Sequence, residues 1–270
     1  MTTGEPAVTV SLTWTGQAGF LLDTPATRLA VDPFLSDHPD RRFPSPVTVD
    51  DLVGTELVLA THEHLDHLDA PALAALLERD ERARVVVPGP AVPAAAAAGL
   101  PTGRLVAAAP GEPIVAGDVT VHPLPALHGV HVADAYHHRL PGDGDTVRYL
   151  GYVLDTPDGR LYHAGDTLRW PGQAELVADH RVEVALLPIN GRDAEREARD
   201  IVGNLDPAEA LALARDAGVP TVVPMHYDLM DGNLGDPGEC RRLAPELLPG
   251  GRVVLLDRMT ATPLAALAGR

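Results

Sequence analysis

The 270-residue chain carries 38 acidic residues against 21 basic ones, which gives a net charge of −17. Proteins that bind nucleic acid or an anionic membrane need a basic face, so this balance argues against both kinds of partner. The single cysteine, Cys240, excludes an internal disulfide framework and a thiolate metal cluster. A small anionic substrate remains compatible, because a few local arginines can hold it.

The chain opens on MTTGEPAVTVSLTW, which lacks the basic and apolar segments of a secretory signal. No apolar stretch approaches the roughly 18 residues that a membrane-spanning helix needs. We therefore expect a soluble, cytoplasmic protein that acts on a small molecule. The sequence leaves the formation of a homo-oligomer open.

Short β-like runs alternate with turn signals over the first third of the chain, as in VTVSLTW, GFLLDT, RLAVDP and ELVLAT. Asp69 and Pro71 are typical of a helix start and predict a helix over APALAALLERD. The Ala-rich segment 93–100 predicts a short helix that ends at Gly99.

The clearest helix signal is LDPAEALALARDAGVP. Asp206 is its predicted cap, Pro207 occupies the first helical position, and Glu209 completes a capping box. Gly218 and Pro220 end the helix. Strand patterns appear in the second half at RYLGYVLDT, GRLYHAG, VEVALLPI, PTVVPM and RVVLLD.

Two segments of the chain echo each other: GFLLDTPATRL at 19–29 and GYVLDTPDGRL at 151–161. Both predict a strand, a turn and a second strand, and each is followed shortly by an acid, Asp32 and Asp166. A chance repetition of a common hairpin sequence is the alternative. We predict one domain, 1–270, with two similar halves (about 1–130 and 145–270) packed sheet on sheet.

The segment THEHLDH places three histidines and two acids at the end of a predicted strand. His62 and His64 are two residues apart, so on an extended segment both imidazoles point the same way and can bind one ion. Asp66 and His67 follow as the chain turns into a helix, and can bind a second. A zincin site is rejected, because it needs two histidines four residues apart on a helix.

Further histidine and aspartate residues follow other apolar runs: His128, Asp166 and His226. The ends of strands converge at one sheet edge, so these side chains can meet in one pocket. Imidazole and carboxylate without thiolate suit first-row divalent ions. His131 competes with His128 for one position, and we favour His128 because it comes sooner after the strand pattern.

THEHLDH, His128, the GDT at Asp166 and the PMHY at His226 resemble, in order, the signature of the metallo-β-lactamase superfamily. The segments 190–233 and GQAGFLLDT…LAVDPFL resemble its L-ascorbate-6-phosphate lactonase branch. The resemblance covers nearly the whole chain. It implies an α/β fold, a four-layer αβ/βα sandwich with two metals at one edge of the sheets.

The resemblance also implies a ligand set for two divalent ions, Zn or Mn. The first ion would be bound by His62, His64 and His128 and the second by Asp66, His67 and His226, with Asp166 bridging the two. A hydroxide held by such ions attacks the substrate without a serine or cysteine nucleophile.

Other polar residues near these motifs have competing interpretations. Glu63 alternates away from the ligands, so we expect a structural role. Lone histidines such as His163 and His180 are interpreted as structural or solvated. Asp32 either orients a ligand imidazole or merely ends a strand, and the sequence does not separate these two roles.

Substrate contacts are predicted in and near NGRDAEREARD. Arg192 is the first choice among Arg192, Arg196 and Arg199, although a solvated charged helix also explains the segment. Asn190, Asn204 and Tyr227 are candidate donors to an oxyanion. With Asp66 and Asp166, Tyr227 completes the predicted catalytic set.

The function that follows is hydrolysis of an ester-like bond in a small, anionic substrate, such as a sugar-phosphate lactone. A phosphodiesterase acting on small phosphodiesters is the first alternative. A di-iron oxidoreductase on the same scaffold is the second, although that branch usually has Glu where this chain has His64. A metal-bound regulatory protein is disfavoured by the complete ligand set.

Overall fold

The computed structural model describes residues 9–128, 147–198 and 203–270. The described strands of the first half are β1 (Ser11–Gly16), β2 (Gly19–Asp23), β3 (Arg28–Val31), β4 (Leu57–Leu59), β5 (Arg84–Pro88), β6 (Leu105–Ala108), β7 (Ile114–Ala116) and β8 (Val119–Pro125). Those that follow are β9 (Leu150–Thr156), β10 (Gly159–His163), β11 (Val184–Pro188), β12 (Thr221–Met225), β13 (Arg252–Val253) and β14 (Ala261–Pro263).

The described α-helices lie between and after these strands. They are α1 (Ala70–Arg79), α2 (Val92–Ala97), α3 (Gln173–Asp179), α4 (Ala194–Glu197), α5 (Pro207–Asp216), α6 (Pro237–Leu247) and α7 (Leu264–Leu267). None of the helices in the described ranges is long and apolar enough to cross a membrane.

The strands form two mixed sheets of seven strands each. One has the order β14-β1-β2-β3-β4-β5-β6, and the other has the order β13-β12-β11-β10-β9-β8-β7. The chain changes sheet before Ile114, and β14 returns from the C-terminal region to pair with β1. Strands β3 to β6 run parallel, as do β10 to β13, so their carboxyl ends lie at a common edge of each sheet.

Among the described residues, three buried apolar clusters separate four layers. In β4, Leu57 and Leu59 face the cluster between the sheets, while Val58 faces the cluster under α1. In β12, Val223 faces the inter-sheet cluster and Val222 faces the cluster under α3, α5 and α6. Since strand side chains alternate between faces, each sheet buries both of its faces. The predicted four-layer αβ/βα sandwich is confirmed.

The two echoing segments form the β2–β3 and β9–β10 hairpins, one in each sheet. Their cross-strand pairs match, because Asp23 faces Arg28 and Asp155 faces Arg160. The corresponding ion pairs measure 2.5 Å and 2.8 Å. The prediction of a repeated strand, turn and strand is confirmed.

The predicted helix starts are also confirmed. Asp69 caps α1 by accepting a hydrogen bond from the Ala72 backbone N–H. The Asp206 side chain caps α5 by accepting from the Glu209 N–H. The Glu209 side chain accepts from the Asp206 N–H, which completes the capping box. Because α5 packs on both β11 and β12, this cap stabilises the layer that supports the second sheet.

We expect Asp206→Ala to lower the free energy of unfolding by about 1 kcal/mol, because it removes the side chain that accepts the Glu209 N–H. Urea denaturation measures this loss. Glu246→Ala, an exposed change on α6, is the control and should cost less. Equal midpoints for the two variants would contradict the stabilising role of the cap.

Candidate metal centre

The candidate ligands lie where strands of both sheets end. The segment from His62 to His67 follows β4, Asp166 follows β10, and His226 follows β12. The two sheets are joined at this edge, because the Leu150 N–H donates to the Thr61 carbonyl over 3.0 Å. Parallel strands therefore bring distant parts of the sequence to one place, as predicted.

The first group consists of His62, His64 and His128. One nitrogen from each lies within 4.8 Å of the others, and His62 Nε2 is 2.9 Å from His64 Nδ1. His62 and His128 are buried, and the ring of Tyr149 packs against both at 5.2 Å and 5.3 Å. The structure therefore places His128 in the group, whereas His131 lies outside the described residues.

The second group consists of Asp66, His67 and His226, whose ligand atoms also lie within 4.8 Å of one another. Asp66 Oδ2 is 3.6 Å from His67 Nε2 and 3.4 Å from His226 Nε2. Both imidazoles are buried, while the Asp66 side chain is 20% exposed. Two imidazoles and a carboxylate form a donor set typical of Zn and Mn sites.

Asp166 lies between the two groups. Its Oδ1 is 3.4 Å from His67 Nε2 and 3.2 Å from His226 Nε2, whereas its Oδ2 is 3.5 Å from His128 Nε2. One carboxylate thus presents a different oxygen to each group. This is the placement expected of the predicted bridging residue.

The chemistry of these side chains fits divalent ions. His67 Nε2 and Asp166 Oδ1 are buried and have no hydrogen-bond partner among the described residues. The nitrogen–oxygen separations of 3.2–3.6 Å also exceed the roughly 2.7–2.9 Å of a charge-assisted hydrogen bond. Buried polar atoms left at such distances are satisfied when they share an ion.

The pKa shifts of the candidate ligands also fit a site for divalent ions. Burial alone would lower the pKa of His226, but the carboxylate of Asp166 and contacts with Asp66 raise it to about 10. Burial alone would raise the pKa of the Asp66 carboxyl, yet the neighbouring His67 and His226 lower it below its usual range. Burial and the neighbouring His67 lower the pKa of His62. The raised pKa of His226 favours a protonated imidazole in the second group, and an ion that binds there would displace that proton.

Asp32 orients His67. Its buried carboxylate accepts hydrogen bonds from the Thr61 backbone N–H and hydroxyl, both at 2.8 Å. Its Oδ2 also lies 2.7 Å from His67 Nδ1, so the opposite nitrogen, Nε2, faces Asp66 and Asp166. The structure thus supports the first of the two roles considered for Asp32.

The other interpretations from the sequence agree with the structure. Glu63 accepts a hydrogen bond from Arg148 Nε over 2.9 Å and is not a member of either ligand group. His163 is buried, with its Nε2 2.8 Å from the Ala18 carbonyl, and its Nδ1 accepts from the Gly165 N–H. Both residues support the walls of the centre.

The predicted substrate contacts form a network of their own. Arg192 makes a bidentate pair with Glu209, at 2.6 Å and 2.7 Å, and donates to the Asn204 carbonyl. Asn204 Nδ2 donates to Asn190 Oδ1, and Asn190 Nδ2 donates to Asn233. The pair with Glu209 explains the position of Arg192 without a substrate, and its proposed contact remains a prediction.

The remaining candidates lie around this network. Arg196 is held by Asp193 and donates to the Asn190 carbonyl over 2.7 Å, while Arg199 lies outside the described residues. Tyr227 packs on Trp14 with ring centroids 5.3 Å apart. Burial raises the pKa of Tyr227 to about 12, so its phenol stays protonated and can donate a hydrogen bond.

Gln17 is a residue of the centre that the sequence motifs do not predict. This buried residue lies in the β1–β2 turn, and its Nε2 is 2.8 Å from Asp66 Oδ2. A single glutamine in a turn has no periodic or spacing signal. Only its position between two buried strands, directly after Gly16, could have drawn attention to it.

The sequence and the fold of the chain are similar to those of known proteins. The family described as the beta-lactamase superfamily domain matches residues 27–227. A curated protein of Salmonella heidelberg, named "Probable L-ascorbate-6-phosphate lactonase UlaG", is 30% identical over 193 residues, which cover 70% of this chain and 53% of the relative. The chain thus matches about half the length of that relative.

Two solved structures share the fold. Igni18, described as a novel metallo hydrolase from Ignicoccus hospitalis, has a TM-score of 0.71 at 24% identity and covers 94% of this chain and 97% of its own. CmlA, a diiron β-hydroxylase from Streptomyces venezuelae, has a TM-score of 0.66 at 17% identity, over 96% of this chain and 55% of its own. With the family match over residues 27–227, the motifs and the four-layer fold show that the chain belongs to the metallo-β-lactamase superfamily.

Proposed function

We propose that the protein is a metal-dependent hydrolase that cleaves an ester-like bond in a small, anionic substrate. The observation that carries this proposal is the position of Asp166, whose two oxygens face different groups of candidate ligand atoms. Such an arrangement is suited to two divalent ions, Zn or Mn. When bound, paired ions supply a hydroxide at neutral pH and stabilise charge on the substrate oxygens.

The side chains of this chain would divide the work between holding ions and orienting ligands. His62, His64 and His128 would hold the first ion, and Asp66, His67 and His226 the second, with Asp166 shared. Asp32 fixes the tautomer of His67 by accepting a hydrogen bond from its Nδ1–H, so that Nε2 would be the nitrogen that coordinates an ion. Tyr227, which directly follows His226 in the chain, would donate a hydrogen bond to negative charge that develops on the substrate.

A lactone is the substrate class that we favour. The curated relative is named a probable lactonase, and the match to it covers 70% of this chain. The net charge of −17 weighs against a polyanionic substrate, which needs an extended basic surface, but not against one small anion at a local cationic centre. Small phosphodiesters carry a similar charge, so a phosphodiesterase is the alternative that substrate panels must test.

We expect Asp166→Asn to weaken the binding of both ions, because each oxygen of the carboxylate serves a different group. The loss should exceed about a hundredfold, the upper end of the cost of losing a residue that merely supports a ligand. Titration calorimetry of the metal-free protein measures both affinities. Asp179→Asn, the same change at an exposed site, is the control. Loss of one ion only would contradict the bridging role.

We expect a chelator to abolish hydrolysis of a lactone panel and added Zn or Mn to restore it, whereas thiol reagents should have no effect. Cys240 is buried in α6, and burial raises the pKa of its thiol to about 12. At pH 8 only ~10⁻⁴ of this thiol is the reactive thiolate. Mass spectrometry after alkylation checks this. Rapid labelling of folded protein with loss of activity would contradict a mechanism without a cysteine nucleophile.

We expect Arg192→Ala to raise KM for an anionic substrate by roughly ten- to a hundredfold, the value of one charge-assisted hydrogen bond. The KM for a neutral analogue of the same shape should rise far less. Glu209→Gln is the matched control, since it disrupts the pair with Arg192 while the guanidinium remains. If Glu209→Gln reproduces the defect, or both substrates lose equally, Arg192 acts only by holding Glu209.

A further inference from the structure

Gln17 is a buried polar residue with an unusual backbone. Only 1% of its surface is exposed, and its φ of 53° lies in the left-handed region that non-glycine residues seldom adopt. Asp32 and His226, with φ values of 45° and 58°, share this conformation. Strained backbone of this kind collects at functional sites, where surrounding contacts hold it in place.

The backbone of Gln17 is fixed by neighbours of the metal centre. Its N–H donates to Asp228 Oδ1 over 3.0 Å, and its carbonyl accepts from the Trp14 indole at 3.1 Å and from the His226 N–H at 3.0 Å. Asp228 is held in turn by Arg258 Nε at 2.9 Å. The turn therefore has little freedom to move its side chain away from the centre.

The side chain of Gln17 reaches the second ligand group. Its Nε2 lies 2.8 Å from Asp66 Oδ2 and 3.2 Å from His226 Nε2. Its Oε1 is buried without a hydrogen-bond partner among the described residues. Because a carboxylate oxygen only accepts, the N–H edge of the amide is the one that satisfies Asp66.

Asp66 needs such support. Its side chain is partly exposed, unlike those of His67 and His226, and it follows His64 in a turn. Within the described ranges, Gln17 is the one residue outside the ligand set that donates a hydrogen bond to it. His67 receives the corresponding support from Asp32. The two supports come from separate turns, one after β1 and one after β3.

We propose that Gln17 is a positioning residue whose amide N–H orients the Asp66 carboxylate toward His67 and His226, and so sets the affinity of the second ion subsite. This inference rests on the proposed function, since it requires that ions bind at the two groups. Partners that orient metal ligands typically contribute ten- to a hundredfold to metal affinity. The effect should be confined to the second subsite, because no atom of Gln17 contacts His62, His64 or His128 in the hydrogen bonds of the described chain.

Two substitutions separate the amide from the backbone. Gln17→Met keeps the length of the side chain and removes the N–H. Gln17→Asn keeps an amide on a residue that tolerates positive φ. Its side chain is one methylene shorter, so the amide no longer reaches Asp66 Oδ2, which lies 2.8 Å from Nε2 in the parent. Both variants should fold, which thermal melting of the metal-free proteins checks.

Calorimetric titration of each metal-free protein with Zn tests the proposal. In both variants the second ion should bind about ten- to a hundredfold more weakly than in the parent, and the first ion within about twofold. The absorption spectrum of protein saturated with Co²⁺ should stay that of the parent, because Gln17 supports a ligand without being one.

Three results would overturn the proposal: parental affinities for both ions in Gln17→Met, equal weakening of both ions, or a changed Co²⁺ spectrum at saturation. The second would make Gln17 a general structural residue, and the third would make it a direct ligand. A parent that binds no ions would remove the proposed function and this inference together. A parent that binds two ions beside an unaffected Gln17→Met would remove this inference alone.

Discussion

The burial of carboxylates among imidazoles is the constraint on which the rest of the structure depends. Asp32 and Asp166 are at most 4% exposed, and Asp66 joins them at the mouth of the centre. A buried carboxylate is costly unless it is paired and hydrogen-bonded. Asp32 satisfies this need with Thr61 and His67, whereas Asp166 Oδ1 has no hydrogen-bond partner within the part of the chain that the structure describes. The fold thus retains a charge imbalance that cations can correct.

Two similar hairpins, one in each sheet, lead to two of these acids. Each passes from a cross-strand Asp–Arg pair to an acid at the shared edge, Asp32 in one sheet and Asp166 in the other. The contacts of the two acids differ, because Asp32 lies against His67 Nδ1 and Asp166 faces both ligand groups. The buried apolar cluster packs the two sheets together, and so fixes the distance between the strand ends that carry these two acids.

Much of the centre could be predicted from the sequence, because each ligand follows an apolar run and the spacing of His62, His64, Asp66 and His67 is distinctive. Gln17 could not, since its partner Asp66 is 49 residues away and the contact depends on how two turns meet. The ion pair between Arg192 and Glu209 could not be predicted either, because the two residues are 17 positions apart and meet only in the folded chain. Glu209 gave a capping signal, and nothing in the sequence shows that its carboxylate also receives the guanidinium.

If Asp166 joins two ion subsites, each oxygen of its carboxylate has an ion beside it. Anomalous diffraction from crystals of the metal-loaded protein, recorded at the absorption edge of the ion, locates both ions. We expect two peaks in each chain, one among His62, His64 and His128 and one among Asp66, His67 and His226, with an oxygen of Asp166 at each. A single peak, or a pair of peaks that Asp166 does not contact, would contradict it.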